Sequence, residues 1–522
     1  MPRIINLAGF SMLAVACASA APEIRSILNG ASYALPGTPG SAIAQGSIFV
    51  IFGTELGPAA LEQAAGFPLP TTLGGTSVRI TSGSVSLDAP LLYVSERQVA
   101  GILPSPAPVG IGLVAVTYDG RTSQSGAFRI VRTSPGILAQ NQAGSGAALA
   151  QNINSAVDQP RNTISRPARP GQMATLWVTG LGPVPEPDGA QPTPRDLDVD
   201  LEVLVGGRPA AVRYKGRSPC CAGADQINFE VPRDVEGCYV PVVVRAGGAI
   251  SNFTTISVAR PGTDCVDVSG ITGPEIERLQ TGGDLRLGAI TLTAAKPTEW
   301  SGDVPGFYEY GNGEFFQYDW NILNARLGIG RPPPGSCLVS LRPQNPAGFG
   351  RRPTGLDAGA ALNLSGPKGS RQIPRRAPGT YSESFSSGAA QLQYLEPGNY
   401  IVDNGSGGAD VGQFRATFTI PPELTTTIQR AAIGITVSWR GGDPAGLLTI
   451  SGSGQDSFGP SPFFTCTERV AAGRFTVPDY VLASVPANLS INVAAVPGSS
   501  PQARFRAPGV DVGYILFSSI EY

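Results

Sequence analysis

The sequence of 522 residues contains no histidine. That absence removes Ser-His-Asp and Cys-His nucleophiles and every histidine-ligated metal site. Lysine is scarce as well: among 37 Lys and Arg, only Lys215, Lys296 and Lys368 are lysines. Against them stand 39 Asp and Glu, for a formal net charge of -2, so no basic footprint for nucleic acid is present. Beyond residue 20, no apolar run approaches the ~20 residues that a membrane helix needs. No Cys-x-x-Cys spacing, phosphate loop or dinucleotide fingerprint occurs. Charged residues make up only 15% and hydrophobic residues 42%, which is enough apolar material for real cores.

What the chain has in plenty is glycine, 67 residues, and proline, 48. Together (67 + 48) they are 115 of 522, or about 22%, just under the roughly 25–30% at which disorder becomes the default reading. At about 100–200 residues per domain, the length predicts three domains or four. Residues 1–20 read as a secretory signal peptide. Arg3 supplies the positive start, Ile4 to Ala16 the apolar stretch, and Ala18-Ser19-Ala20 the small-residue cleavage site. Cys17 permits a lipoprotein reading, but Ala14 stands where such a signal usually has Leu. The mature chain is therefore expected to be secreted or held at the cell surface. Its six remaining cysteines are Cys220, Cys221, Cys238, Cys265, Cys337 and Cys466. An even number in an exported chain reads as disulfides.

An internal repeat organises the first half. GSIFVIFGTELGP at Gly46–Pro58 matches GQMATLWVTGLGP at Gly171–Pro183 without a gap, a period of 125. Tyr93, Gln98 and Pro104 then match Tyr214, Gln226 and Pro232. The copies continue as GIGLVAVTYDG and GCYVPVVVRAGG and end in the strand-like GAFRIV and NFTTISV. These segments are short, β-branched and bounded by Gly, Pro and Asp, which is strand chemistry. The prediction is all-β: tandem immunoglobulin-like β-sandwiches over 21–133 and 134–262, a linker over 263–283, and a larger β-sandwich over 284–522, one domain or two small ones. Helical turns are expected only near Ala59–Ala65 and Glu275–Leu279.

The paired FGTELGP and LPTTLGG elements, followed by APLLYVS, resemble the tandem repeats of secreted acidobacterial proteins known as the Solibacter uncharacterised C-terminal domain family. The second copy adds CCAGADQINFEVP and GCYVPVVV. The resemblance covers about residues 22–262. It implies TIG/IPT-like immunoglobulin modules and an exported location, and it implies no catalytic residues.

The second copy carries an insertion. Tyr93 to Gln98 is five residues, whereas Tyr214 to Gln226 is twelve, and the excess holds Cys220 and Cys221. The strand that follows holds its ends about 17–20 Å apart. Cys238 lies at its far end, and Cys265 returns to that same end. A bridge needs Cα atoms within about 7 Å. Of three possible pairings, Cys238–Cys265 with a vicinal Cys220–Cys221 ring is favoured. The stapled loop reads as structural or as a rigid recognition element. Cys337 and Cys466 suggest a bridge across two sheets.

In the last 250 residues, Ile435, Val437 and Trp439 alternate with polar neighbours, as do Phe414, Ala416, Phe418 and Ile420. The terminal VGYILFSSIEY reads as a closing strand. FYEYGNGEFFQYDW reads as a hairpin turning at Gly311-Asn312-Gly313. On it Tyr308 and Tyr310 share one face, as do Phe316, Tyr318 and Trp320. That aromatic surface is either core or a platform for sugar rings. Glu309, Glu314 and Asp319 are the acids that could supply a glycosidase pair, which needs two carboxylates about 5–9.5 Å apart. Ser365-x-x-Lys368 contains Gly366-Pro367, which argues against the helical turn that a Ser/Lys pair requires. No cofactor is expected. Calcium is the one candidate, at the alternating Asp196, Asp198, Asp200 and Glu202 of an acidic edge strand, or in the hairpin loop Asp403–Gly412. Three functions follow from these features: non-catalytic binding of a polysaccharide or surface protein, carboxylate-based hydrolysis of carbohydrate, or a spacer in a surface layer.

Overall fold

The computed structural model describes residues 21–296, 308–319, 330–341, 352–386, 393–431, 434–454 and 462–521. Residues 1–20, read above as a signal peptide, and Trp320 lie outside the described residues. Strands dominate the rest.

In repeat 1, one sheet runs in the order Glu23–Asn29, Ile48–Thr54, Gln98–Ile102, Leu91–Val94. The other places Gly110–Tyr118 between Gly126–Val131 and Thr76–Ser82. Phe49, Ile51, Val78, Ile80, Val114 and Val116 fill the space between the sheets. In repeat 2, the long strand Arg208–Arg217 pairs with both Asp225–Glu230 and Leu201–Val205 and so joins the two layers. The duplication is visible in the registers. Ile48 lies opposite Ile102 and Phe52 opposite Gln98; in repeat 2, Met173 lies opposite Glu230 and Trp177 opposite Gln226.

Two local expectations fail here. Ala59–Ala65 does not form a helical turn; it carries the two-residue strand Glu62–Gln63, paired with Leu91–Val94. Seven residues are too few to nucleate a helix unaided, and the sheet edge offers their backbone partners instead. The alternating acidic segment is not an edge strand either. Only Leu201–Val205 of it pairs fully, and that strand is flanked on both sides, by Arg208–Arg217 and Gly237–Ala246. Apolar Leu197 and Val199 are buried before it while Asp198 and Asp200 stay exposed.

The segment read as a linker is packed structure. Helix Gly273–Gln280 starts at Thr272, whose capping box with Glu275 satisfies free N–H groups. Ile271, Ile276 and Leu279 are fully buried, against Cys238, Cys265 and the strand Leu285–Lys296. Apolar residues three apart give this short helix one buried face, so it docks rather than dangles.

The C-terminal half holds two cores. Among the described residues ten strands form one long sheet: nine follow the order Arg415–Ile420, Gly398–Asp403, Ala361–Gly366, Gly369–Ala377, Thr380–Ser386, Tyr308–Tyr318, Leu285–Lys296, Val510–Glu521, Arg504–Ala507, and the short Thr354–Gly355 also pairs with Tyr308–Tyr318. The sheet curls until its ends meet, with the Phe414 ring stacked on Phe505 at 4.4 Å. The last strand closes it, running parallel to Leu285–Lys296. Gly398–Asp403 and Arg415–Ile420 pair antiparallel, so Asp403–Gly412 is the connection of a hairpin. The second core lies between a four-stranded sheet, which includes Ser336–Leu341 and Pro462–Arg469, and a three-stranded sheet centred on Gly434–Arg440. Ile435, Val437 and Trp439 point into it as their alternation predicts. Leu204, Val243 and Phe253 of repeat 2 join the same core.

Candidate functional site

The aromatic segment is not a hairpin. Tyr308–Tyr318 is one unbroken strand, paired with Leu285–Lys296 on one side and Thr380–Ser386 on the other. Its glycines serve packing rather than a turn. A Cβ on Gly311 would lie 2.6 Å from the Phe385 ring, and one on Gly313 would lie 2.6 Å from Leu362 Cδ1. Tyr308, Tyr310, Phe316 and Tyr318 therefore share one face of a single strand by the period of two. That face is divided. Tyr318 is only 1% exposed, in the cluster around helix Gly273–Gln280, and half-buried Phe316 packs beside it with ring centres 5.9 Å apart. Tyr310 is half-buried, and Tyr308 is 54% exposed.

The acids of this strand do not pair. Glu309 is completely buried; its Oε2 accepts the Tyr394 N–H at 2.7 Å and its Oε1 the Leu395 N–H at 2.8 Å. Both carboxylate oxygens are used to hold a loop. Glu314 is an odd number of positions away, on the opposite face of the sheet. The two cannot converge on one bond.

The cysteines are joined as Cys220–Cys221, Cys238–Cys265 and Cys337–Cys466. Cys337 and Cys466 are direct register partners on neighbouring strands, so their bridge lies within one sheet rather than across two. The expected inter-sheet bridge assumed facing layers, and the sequence does not show which strands are neighbours.

The inserted loop is built into the joint between the repeats. Arg217 is buried and stands 3.1 Å from Asp225 Oδ1. Its Nη1 donates to the Gly46 carbonyl of repeat 1 at 3.2 Å and its Nη2 to the Gly182 carbonyl of repeat 2 at 3.1 Å. Thr179 Oγ1 donates to the Gly223 carbonyl at 2.5 Å and accepts the Ile48 N–H at 2.9 Å. Nearby, Asp188 accepts both the N–H and the hydroxyl of Ser105, each at 2.7 Å. Burial pushes the Asp225 carboxyl up to about 6 against the pull of Arg217, and burial also raises Asp188. Only the tip, Pro219 to Cys221, is exposed. Sequence reasoning located the loop and its cysteines. It missed Arg217 and Asp225, whose partners lie in other segments.

A concavity lies between the curled sheet and the four-stranded sheet, with a cavity volume of about 340 Å³. Phe418, Ile515 and Phe517 form one wall, and Leu448 and Val493 the other. Ser499, Ser500 and Ser518 supply hydroxyls, and Asp443 is the single ionisable residue of the lining. Asp443 already accepts the Ala445 N–H at 2.9 Å. Among the described residues, no group of three potential ligand side chains is placed to hold a metal, the acidic segment Asp196–Glu202 and the loop Asp403–Gly412 included. Asp403 accepts from Asn363 at 2.8 Å and from the Gly405 N–H at 3.0 Å. Among the described residues, no helix is long and apolar enough to cross a membrane.

No protein-family profile and no curated protein matches the chain. Solved structures with local similarity include a β-glycosidase from Bacteroides vulgatus, at 12% identity and TM-score 0.15, over 46% of this chain and 25% of that one. The chain thus spans about a quarter of that glycosidase. They also include the FN1–FN3 domains of chicken CNTN1, at 8% identity and TM-score 0.15, over 70% of this chain and 94% of that one. A third is the SGBP-B protein of a Bacteroides ovatus mixed-linkage glucan utilization locus, in complex with a mixed-linkage heptasaccharide. It is 10% identical with TM-score 0.13, over 91% of this chain and 97% of that one. At such scores they carry no argument about this chain. Its fold, immunoglobulin-like β-sandwiches followed by further β-sheet units, rests on its own sheets and registers.

Proposed function

We propose that this is an exported, non-catalytic binding protein, a member of the secreted Solibacter-type tandem-repeat family with TIG/IPT-like modules, that holds a polysaccharide or a surface protein outside the cell. Three disulfides suit an oxidising compartment, in keeping with a signal peptide at residues 1–20. The observation that carries the binding reading is the 340 Å³ concavity between the C-terminal sheets. It falls in the range of roughly 300–1,000 Å³ that small-ligand sites occupy. Its walls are apolar and aromatic, its polar groups are hydroxyls, and its lining holds one carboxylate. Glycoside hydrolysis requires two, and Glu309 is committed to the Tyr394–Leu395 loop. Such a lining suits a neutral ligand with apolar faces and hydroxyl edges, as a sugar ring has.

The test is a glycan and cell-wall binding screen of the full exported chain, repeated with Ala494→Trp. Ala494 is exposed on the cavity wall, so the variant fills the space without disturbing a core. Binding that Ala494→Trp abolishes supports the proposal. Release of reducing ends from any bound polysaccharide overturns it. Absence of binding to every glycan and wall fraction favours the spacer reading, which the rigid joint around Arg217 specifically supports.

A further inference from the structure

The duplication keeps an aromatic residue, a tyrosine and a glutamine at positions that the cores do not use. Phe52, Tyr93 and Gln98 of repeat 1 match Trp177, Tyr214 and Gln226 of repeat 2. Phe52 lies opposite Gln98, as Trp177 lies opposite Gln226. Their neighbours along the strands face inward: Ile51 and Val99 in one core, Leu176, Val178 and Ile227 in the other. Side chains alternate along a strand, so the matched residues stand on the outer face of the sheet.

The two copies finish that face differently. In repeat 1 it is closed. Val50 and Ala100, the neighbouring outward pair, are buried, and the Tyr33 ring lies 6.2 Å from that of Phe52. Gln98 Nε2 donates to the Tyr93 hydroxyl at 2.6 Å. In repeat 2 the corresponding pair is Thr175 and Asn228, and the face is polar. Trp177 Nε1 donates to Gln151 Oε1 at 2.9 Å, and Gln151 Nε2 donates to the Gln159 carbonyl at 3.0 Å, so the indole is held in one orientation. Among the described residues no ring stands by Trp177 as Tyr33 stands by Phe52. Asn228 Oδ1 accepts from both Thr175 Oγ1 and Gln226 Nε2, each at 2.9 Å. Among the described residues, that leaves Asn228 Nδ2 and Gln226 Oε1 without a protein partner, a donor and an acceptor side by side. Trp177, Gln226 and Asn228 are each half-buried, so part of every one reaches solvent.

We propose that this face of repeat 2 is a glycan-binding site. The Trp177 indole is the platform for the apolar face of a sugar ring, and Gln226 and Asn228 pair with its hydroxyls. An oriented aromatic surface beside a few fixed polar groups is how sites select such a ligand. A sugar hydroxyl both donates and accepts, and the two amides offer it one group of each kind. The other chemistries fit less well. The rows Trp177–Gln226–Gly216 and Gln151–Thr175–Asn228–Tyr214 are neutral throughout, so a phosphate or other charged ligand meets no counter-charge in them. An extended peptide finds no free ladder groups, because Met173–Thr179 and Asp225–Glu230 each have strands on both sides. The site is separate from the C-terminal concavity and does not depend on it.

Affinity electrophoresis of the full exported chain tests this, in gels holding xylan, galactomannan, hydroxyethylcellulose or glycol chitin. The chain carries Ala494→Trp throughout, which fills the concavity and leaves only the repeat 2 face to bind. The expected result is retardation by at least one of the four, weakened about tenfold or more by Trp177→Ala, as loss of a central aromatic contact does. Gln226→Ala leaves Thr175 bonded to Asn228 and should weaken the same binding about threefold or more. It serves as the test if Trp177→Ala fails to fold. An Ala494→Trp chain that none of the four retards overturns the proposal, and wild-type retardation then belongs to the concavity alone. Retardation that neither variant weakens also overturns it.

Discussion

Repeat 1 and repeat 2 share their strand registers and differ in what surrounds them. Each encloses a core of inward Val and Ile residues, Val78 and Val116 in one, Val203 and Val244 in the other. Outside that core they diverge. Repeat 2 has Leu204 and Val243 on its outer face and buries them. Repeat 1 has Arg79 and Ala115 at the matching places and leaves the face open. Repeat 2 alone has the loop that carries Arg217 and Asp225 into the joint. The difference teaches that inward side chains preserve a module, whereas outward ones decide what it is attached to.

The largest expected effect sets the two faces directly against each other. Val243→Asp places an unpaired charge in a closed core and should cost about 4 kcal/mol or more. Ala115→Asp, at the equivalent place in repeat 1, should stay within about 0.5 kcal/mol. Denaturant unfolding of the two variants measures both, and equal costs would break the comparison. Next is the joint. Asp225→Ala leaves Arg217 buried beside two carbonyls without its counter-ion and should cost about 3–5 kcal/mol. The loss should appear in the unfolding of repeats 1 and 2 and leave the curled C-terminal sheet intact, as hydrogen exchange would resolve.

The smallest effect is the pH response of the same carboxylate. An ordinary aspartate ionises at 3.8, whereas burial keeps Asp225 protonated up to about 6. Between these values the folded chain binds more protons than the unfolded one, so this group's contribution to stability falls as pH rises through the window. Arg217 and Tyr214 face Asp225 at the joint. Asp188, also raised by burial, works in the same direction. By contrast, half-buried Asp357, lowered by the Gly359 N–H and Arg375, contributes stability that is lost as pH falls. Asp225→Asn should flatten the slope of melting temperature between pH 4 and 6, and an unchanged slope would assign it elsewhere.

Much of the architecture was legible beforehand, for identifiable reasons. The alternation at Ile435, Val437 and Trp439 marks a buried face because strand side chains alternate strictly. The Cys238–Cys265 pair follows from the length of one strand. The aromatic segment was misread because Gly-Asn-Gly carries the same local signal in a turn as in a strand that must admit Phe385 and Leu362. The helical turn near Glu275–Leu279 was legible from the sequence, but its docking was not, because the partners that bury Ile276 and Leu279 lie in other segments. Glu309 looked available because nothing in its neighbourhood names Tyr394 and Leu395, which lie 85 and 86 residues away.

By itself the sequence determined the all-β class, the duplication and the strand periodicity of this protein. Those are properties of short range, set by side-chain alternation, turn residues and the reach of a few residues of chain. The tertiary structure alone decided which faces are roofed, which acids are spent on loops and joints, and where a concavity remains. These depend on segments far apart in the chain coming together, as Val243 and Val437 do in one core, and no local pattern encodes them.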